Sequence, residues 1–529
     1  MITDDLTADE RERIAPYVTD VEGPVFVLRN LPDVVKGALF ARYSRSPKSL
    51  RRLLLDEFLP PEDTPRSSAE GSGVGVDRAE NLYDRVLAEY GDDSVAQLGA
   101  AHVAVEGASN ILTKVLEWGR LASYLEQSTR YIRLDDRPGG RFRYHRPAAI
   151  MDGALGTDFV ATMDATFEAY SALIPVLVEH IGQGVPKDPT TPAAARERAI
   201  RASALDALRG LLPAATQANV GIFGSGQAFE ALLVRMQASP LTEARECGER
   251  MLTELRKVVP AFLTRVDRPD RGVRHARYIA RNEADTAAIA HRLFEDVPHR
   301  PDGPTVRLVD FDPDGEDRVL THILWPESGR PLGDVRSKVG TLSHATRAEA
   351  LAAYVGRRAD RRERPGRALE ATTYTFEVVC DYGAYRDLQR HRMLSLQAQP
   401  LTADLGYDIP EDVVDAGAAD AYAESQERCV RLWEALREDV PHEAAYAVTL
   451  AHRIRFTMVM NAREAMHVIE LRSQPQGHVT YRRVAQDMHH LIRDVAGHRA
   501  IADAMEFVDH TSSTAGRLAQ ESRQDTRRG

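Results

Sequence analysis

Cysteine is nearly missing from this chain of 529 residues: Cys247, Cys380 and Cys429 are all it has, and they stand far apart. Three scattered thiols build neither a disulfide framework nor a clustered zinc site. Also absent is any run of about eighteen apolar residues, and Met1 to Arg13 is acidic and polar, unlike a secretion signal. A soluble, cytoplasmic protein with no membrane partner is expected. Positive charge is in short supply too: 68 Lys and Arg against 79 Asp and Glu leave a net charge of -11. That balance excludes a surface that tracks nucleic acid polymers, so any phosphate must be held by local clusters of cations. Gly221, Gly224 and Gly226 match neither a dinucleotide fingerprint nor a Walker loop. The adjacent His489 and His490 have no carboxylate at ligand spacing, and no metal is expected.

What the chain does have is length and self-similarity. At 43% hydrophobic residues it can bury real cores, and its length allows two to four domains. The apolar run Val25 to Leu28, Pro32 and the helical-looking Asp33 to Tyr43 recur as Val306 to Val309, Pro313 and Asp314 to Leu324, at 306 − 25 = 281. Leu116 to Ser123 lines up with Leu388 to Ser395 at an offset of 272, and the Tyr-x-x-Pro at Tyr144 with that at Tyr407 at 263. Arg235 and Met251 match Arg472 and Met488 at 237. Four matches in one order, with a shrinking offset, indicate a duplicated domain whose second copy has shorter loops. Pro60 to Asp77 and Gly182 to Ala195 read as surface insertions of the first copy. The copies are expected at 1–270 and 304–529, with 271–303 as a linker. Long segments of helical period, such as Ala199 to Leu212 and Ala444 to Arg472, outnumber strand-like runs, so each copy reads as an α+β (α/β) domain, largely helical with a small sheet.

The matching segments resemble the flavin-dependent thymidylate synthases (ThyX), whose hallmark is Arg-His-Arg followed by Ser, then Glu, Ser and Arg at fixed spacing. The second copy holds Arg390-His391-Arg392 and Ser395, but has Ala398, Pro400 and Thr402 where the Glu, Ser and Arg belong. The first copy has Trp118-Gly119-Arg120 and Ser123, and keeps Glu126, Ser128 and Arg130. The division recurs downstream. Arg209 before Leu-Pro has Ala445 as its counterpart, whereas Asn461 and Arg463 face Gly224 or Ser225 and Gly226 or Gln227. Family members are homotetramers in which one chain lends the Glu/Ser/Arg group and another the Arg-His-Arg group. Complementary loss is what two fused copies would show if each kept one side of that interface. The resemblance therefore implies a homodimer of tandem chains with about one flavin site per chain.

Arginine forks match phosphate oxygens two at a time, so Arg130 and Arg209, with Ser128 and Glu126, suit a dUMP-like nucleotide. By resemblance Arg472 and Arg390 are the catalytic cations, both facing the nucleotide, and Arg472 polarises a uracil carbonyl so that no cysteine nucleophile is needed. Ser44, Ser94, Arg390, His391, Arg392, Asn461, Arg463 and His467 are the implied FAD contacts. If Ala444 to Arg472 is one helix, Asn461 and Arg472 share a face about 16 Å apart, and Arg463 and His467 share a second. NADPH and methylenetetrahydrofolate are the implied co-substrates for dTMP formation. Asp387 stands where many members carry glutamine near the nucleotide, and Asp92 and Pro365 where they commonly carry histidine. Two other functions fit the same residues: one-carbon transfer or hydroxymethylation on another pyrimidine nucleotide, or a catalytically inactive binding module. The arginine-rich run from Arg357 to Arg367 reads either as a phosphate receiver or as a solvated loop.

Overall fold

Apolar residues two apart, as in Tyr374, Phe376, Val378 and Cys380, and four apart, as in Phe159, Met163 and Phe167, become buried strand and helix faces in the computed structural model. The structure describes residues 6–43, 46–59, 97–185, 192–297 and 305–511. In chain order the first copy provides α1 (Asp33–Tyr43), β1 (Ala100–Ser109), α2 (Asn110–Leu116), β2 (Ala122–Glu126), α3 (Gly156–Gly184), α4 (Ala193–Leu208), β3 (Gln217–Ser225), α5 (Gly226–Ala238) and α6 (Thr242–Leu255). Helix α7 (Gly272–Phe294) occupies most of the expected linker. The second copy provides β4 (Val306–Phe311), α8 (Gly315–Ser328), β5 (Thr373–Asp381), α9 (Tyr382–Gln389), β6 (Ser395–Ala398), α10 (Ala419–Leu436), β7 (Arg453–Asn461), α11 (Ala462–Arg472) and α12 (Val479–His490).

The order repeats and so do the offsets between helix starts: 315 − 33 = 282, 382 − 110 = 272, 419 − 156 = 263, 462 − 226 = 236 and 479 − 242 = 237. Each copy contributes a small sheet, β1-β3-β2 in the first and β4-β5-β7-β6 in the second. Register repeats as well: Ser123 faces Phe223 as Ser395 faces Val459, both pairs antiparallel. An α+β domain used twice is thus the architecture.

One expectation needs correction. Ala444–Arg472 is not one helix: a 3-10 turn at Glu443–Ala447 leads into β7, and only Ala462–Arg472 is helical. The strand follows from alternation, since Ile454, Phe456, Met458 and Met460 are buried while the residues between them are not. The run Val25 to Leu28 forms only an isolated bridge, Val18 to Leu28, because its backbone pairs with residues 17–19, and Val25 and Val27 stay exposed. The expected Pro60 to Asp77 insertion lies outside the described residues, as do 186–191 of the other.

The described residues group into two compact units. The first draws on Met1–Ala108, Val115–Glu126 and Asn219–Val297, the second on Ser109–Lys114, Gln127–Ala218 and Pro298–Gly529. The second unit therefore joins all of the described second copy to the central third of the first. Inside it, four backbone hydrogen bonds between the copies come in reciprocal pairs. Ala214 N donates to Val448 O and Leu450 N to Leu212 O; Ala215 N donates to Tyr446 O and Ala451 N to Gly210 O. Every member of these pairs is 236 residues from its counterpart. Pro213 bridges its own equivalent, Thr449. Thr166 on α3 meets its equivalent, Cys429 on α10, at 3.4 Å. A local two-fold axis runs between the copies, and the interface is isologous within one chain.

Within the second copy the Arg358 guanidinium grips both oxygens of Glu470 at 2.6 Å, with both side chains almost wholly enclosed. Part of the arginine-rich run is therefore core, not phosphate receiver or loop. Removing one partner strands a buried charge, so Arg358→Met is expected to cost about 3–5 kcal/mol in denaturant unfolding. Arg358→Met combined with Glu470→Leu should recover most of that loss. Thr166→Cys tests the two-fold: under mild oxidation it should close a bond with Cys429 inside one chain, read as loss of the two thiol hydrogens at monomer mass. Cross-linked dimers in its place would refute docking of the copies within a chain.

Candidate active site

Beside the isologous junction, residues kept separately by the two copies come together. Arg209 follows α4 directly and ends near the N-terminus of α9, where a Cβ on Gly383 would stand 3.2 Å from its Nε. Its Nη1 lies 3.4 Å from Asp387 Oδ2 and 3.8 Å from Asp206 Oδ1. Arg130 places its Nε 2.9 Å from the same Asp206 oxygen, donates from Nη1 to the Tyr481 hydroxyl at 3.2 Å, and from Nη2 to Gln476 O at 2.9 Å. From the second copy, Arg390 caps α9 and pairs with Asp387 one turn back. Arg472, at the end of α11, donates to Asp387 O at 2.6 Å and sets its guanidinium over the Tyr481 ring.

Four arginines thus surround Asp206 and Asp387, with a third buried carboxylate, Asp381, close to Arg209 at the start of α9, so the cations outnumber the carboxylates. Burial alone would raise the Asp387 carboxyl, but Arg390, Arg209, Arg472 and Arg130 outweigh it and hold it below the usual carboxylate range. Exposure of the cations rises from Arg209 at 4% through Arg472 and Arg130 to Arg390 at 38%. Nε and Nη2 of Arg209 are buried donors with no hydrogen-bond partner among the described residues. Leaving such donors unmet costs about 1–3 kcal/mol or more for a charged group, and an anion would meet them.

Arg390, His391 and Arg392 point three ways, as three adjacent donors must. His391 is buried and accepts at Nε2 from Arg472 Nε at 2.8 Å, which places its proton on Nδ1, 3.5 Å from Glu464 Oε1. Burial first, then the neighbouring Arg472, keeps that imidazole neutral. Glu464 is itself pushed up to about 7 by burial, with Arg364 and Arg463 opposing. Asn461 caps α11 by accepting from Glu464 N at 2.9 Å, and Ser225 caps α5 in the same way. The caps settle the alignment left open by sequence: Asn461 corresponds to Ser225 and Arg463 to Gln227. Arg463 donates to Pro365 O at 2.8 Å and lies 3.5 Å from Glu370, while His467 meets Arg364 at 3.2 Å. Burial and then Arg364, Arg361, Arg472 and Arg463 lower the His467 imidazole to about 4.

Of the remaining candidates, Ser128 spends its hydroxyl on its own loop, accepting from Arg130 N at 3.3 Å. Arg392 is exposed beside His391. Glu126 ends β2 in the first unit, opposite Val220. Ser44 and Ser94, like Asp92, lie outside the described residues. Asp206, Glu464, Tyr481 and the Gln476 carbonyl were not among the expected residues. Asp206 is legible afterwards as an i,i+3 partner of Arg209, as Asp387 is of Arg390; nothing in the sequence marks Tyr481. The three cysteines are free, and burial raises the Cys247 and Cys429 thiols to about 11 and the Cys380 thiol well above its ordinary value. No helix among the described residues is long and apolar enough to cross a membrane.

The reciprocal architecture has relatives. The UPF0159 protein of Chlamydia muridarum is 39% identical over 525 residues, covering 98% of both chains. That of Thermoplasma acidophilum is 30% identical over 524 residues, 93% of this chain and 99% of its own. A flavin-dependent thymidylate synthase of Clostridium tetani is 27% identical over 224 residues, 40% of this chain and 84% of that enzyme. The family model described as thymidylate synthase complementing protein matches residues 40–261 and again 307–497. Two matched segments, one per copy, mean that the chain belongs to the thymidylate synthase complementing protein family, in a tandem-duplicated form.

Proposed function

We propose that this chain is a flavin-dependent thymidylate synthase that converts dUMP to dTMP, with methylenetetrahydrofolate as carbon donor and NADPH as reductant, at one composite site per chain. The observation that carries this reading is Arg209, buried with two unmet donors among four arginines drawn from both copies. A cluster in which arginines outnumber carboxylates suits the anionic end of a nucleotide monophosphate, and forked arginines supply paired donors to its oxygens. Arg209 and Arg130 hold the phosphate end. Arg472, oriented by His391 and the Asp387 carbonyl, polarises the pyrimidine carbonyl, and Arg390 is the most exposed of the four.

The donor set beyond His391 fits FAD. Arg361, Arg364 and Arg463 all act on His467 from close range, a cationic surface suited to a diphosphate, and neutral His467 can still donate to it. When bound, flavin supplies the hydride that completes the methyl group. The protein's own part is to fix the pyrimidine against Arg472 and to hold a proton on His391 Nδ1 beside Glu464. Within the cell the working form is taken to be a homodimer of tandem chains. Asp387 in place of glutamine favours a second reading, in which the acceptor is another pyrimidine nucleotide.

Purified protein assayed with dUMP, methylenetetrahydrofolate and NADPH should form dTMP and carry one FAD per chain. Two flavins per chain would overturn the composite site, and turnover of dCMP without dUMP would assign the second reading. Arg130→Ala and Arg390→Ala should each lower kcat/KM by two orders of magnitude or more, about 3 kcal/mol. Mixing the two variants should restore nothing, because both residues serve one site in one chain. Glu464 gives a pH signature. Its folded carboxyl titrates at about 7 against an ordinary 4.5, so between these values the folded chain keeps a proton that the unfolded chain releases. Its contribution to stability is present below pH 4.5 and is lost as pH rises to 7, by on the order of 3 kcal/mol. Glu464→Gln should flatten that slope relative to the native chain in unfolding measured across pH 4.5–7.

A further inference from the structure

We propose that His489, His490 and His510 form a binding site for a divalent metal ion of the zinc class, separate from the nucleotide site. Each offers a ligand nitrogen, and the three lie within 4.8 Å of one another. Adjacent histidines normally diverge on a helix. Here α12 gives way at once to a π-helical turn, Leu491–Val495, and the third ring comes from twenty residues further on. The His510 ring sits 5.0 Å from His489 and 4.7 Å from His490, centroid to centroid.

His489 is the anchor. It is 7% exposed, and its Nε2 lies 3.0 Å from the Ala502 carbonyl, which can only accept, so the proton is on Nε2. That leaves the Nδ1 lone pair, which is buried and has no partner among the described residues. A metal-bound histidine commonly has its other nitrogen fixed by such a carbonyl, and the unmet lone pair is what an ion would relieve. His510 is held from its backbone: Asp509 N donates to Ser473 Oγ at 3.1 Å, Gln486 to Asp509 O at 2.9 Å, and Arg482 to Thr511 O at 2.7 Å. Tetrahedral zinc with Zn–N of about 2.0–2.1 Å needs nitrogens about 3.4 Å apart, which rotation of the exposed His490 and His510 rings provides. Three imidazoles suit Zn, Co, Ni or Cu and leave a position for water. Asp487, Asp503 and Asp509 act on these rings or are acted on by them, against Arg483 and Arg493, so the surroundings do not repel a cation.

The fold does not require histidine here. The first copy, at an offset of 237, has Leu252 and Thr253 in place of His489 and His490. Bound metal would clasp the segment carrying His510 to α12, the helix whose Tyr481 supports Arg130 and Arg472.

The test is titration of the tag-free, chelator-treated full chain with Zn(II), and with Co(II) for its visible absorption. One equivalent per chain is expected, together with a rise in melting temperature. His489→Ala and His510→Ala should each weaken binding at least tenfold, and His510→Ala, an exposed position, keeps the fold intact as a control. His467→Ala should leave binding unchanged, which separates this trio from His391, Glu464 and His467, whose ligand atoms are also close together. No saturable binding, binding indifferent to His489→Ala and His510→Ala, or binding lost with His467→Ala would each overturn the proposal. None of these outcomes depends on nucleotide turnover.

Discussion

The structure turns on a short backbone junction at which Pro213 meets its own counterpart, Thr449, and four hydrogen bonds form as two reciprocal pairs. Backbone groups buried at such a place must find partners, and the duplication supplies them twice over. Because each bond is matched by its equivalent, the copies can meet only about a two-fold axis. That axis sets what faces what: the end of α4 in the first copy arrives at the start of α9 in the second. Arg209 is delivered to Asp387 by backbone complementarity, before any charge interaction is counted.

The two copies have kept unequal shares of these residues. Beside the junction stand Arg130, Arg209, Asp387, Arg390 and Arg472. Their counterparts in the sequence, at the offsets of the repeat, are Thr402, Ala445, Val115, Trp118 and Arg235. One contact survives the divergence: Arg235 donates to Val115 O at 3.2 Å as Arg472 does to Asp387 O, and 387 − 115 = 272. Among the described residues no carboxylate offsets the burial of Arg235, and burial lowers its basicity. Its counterpart is the cation of a charged site, whereas Arg235 is a remnant of the packing.

Much of this was legible from sequence. The repeat gave the offsets because helix and strand positions tolerate substitution but not insertion, and the loops absorbed every change in length. Arg130, Arg209, Arg390 and Arg472 were legible because each copy kept what the other lost. The strand at Arg453–Asn461 was obscured by the helix beyond it, since a buried strand and a buried helix both present closely spaced apolar residues. Tyr481 and the Gln476 carbonyl were invisible because they reach Arg130 across some 350 positions, and only the fold places them. The partner of His489 and His490 was missed for the same reason.

Asp387 follows from the same geometry. A glutamine there would leave Arg130, Arg209, Arg390 and Arg472 with only Asp206 and Asp381 among the described carboxylates close to them. Burying several cations with so little compensation is costly, by several kcal/mol for each ion left unpaired. A carboxylate lowers that cost in the empty site, and its own burial is offset by three guanidinium neighbours at 3.8 Å or less. Asp387 therefore stabilises the cluster of buried guanidiniums, and the Nε and Nη2 donors of Arg209 are what its carboxylate leaves unmet among the described residues.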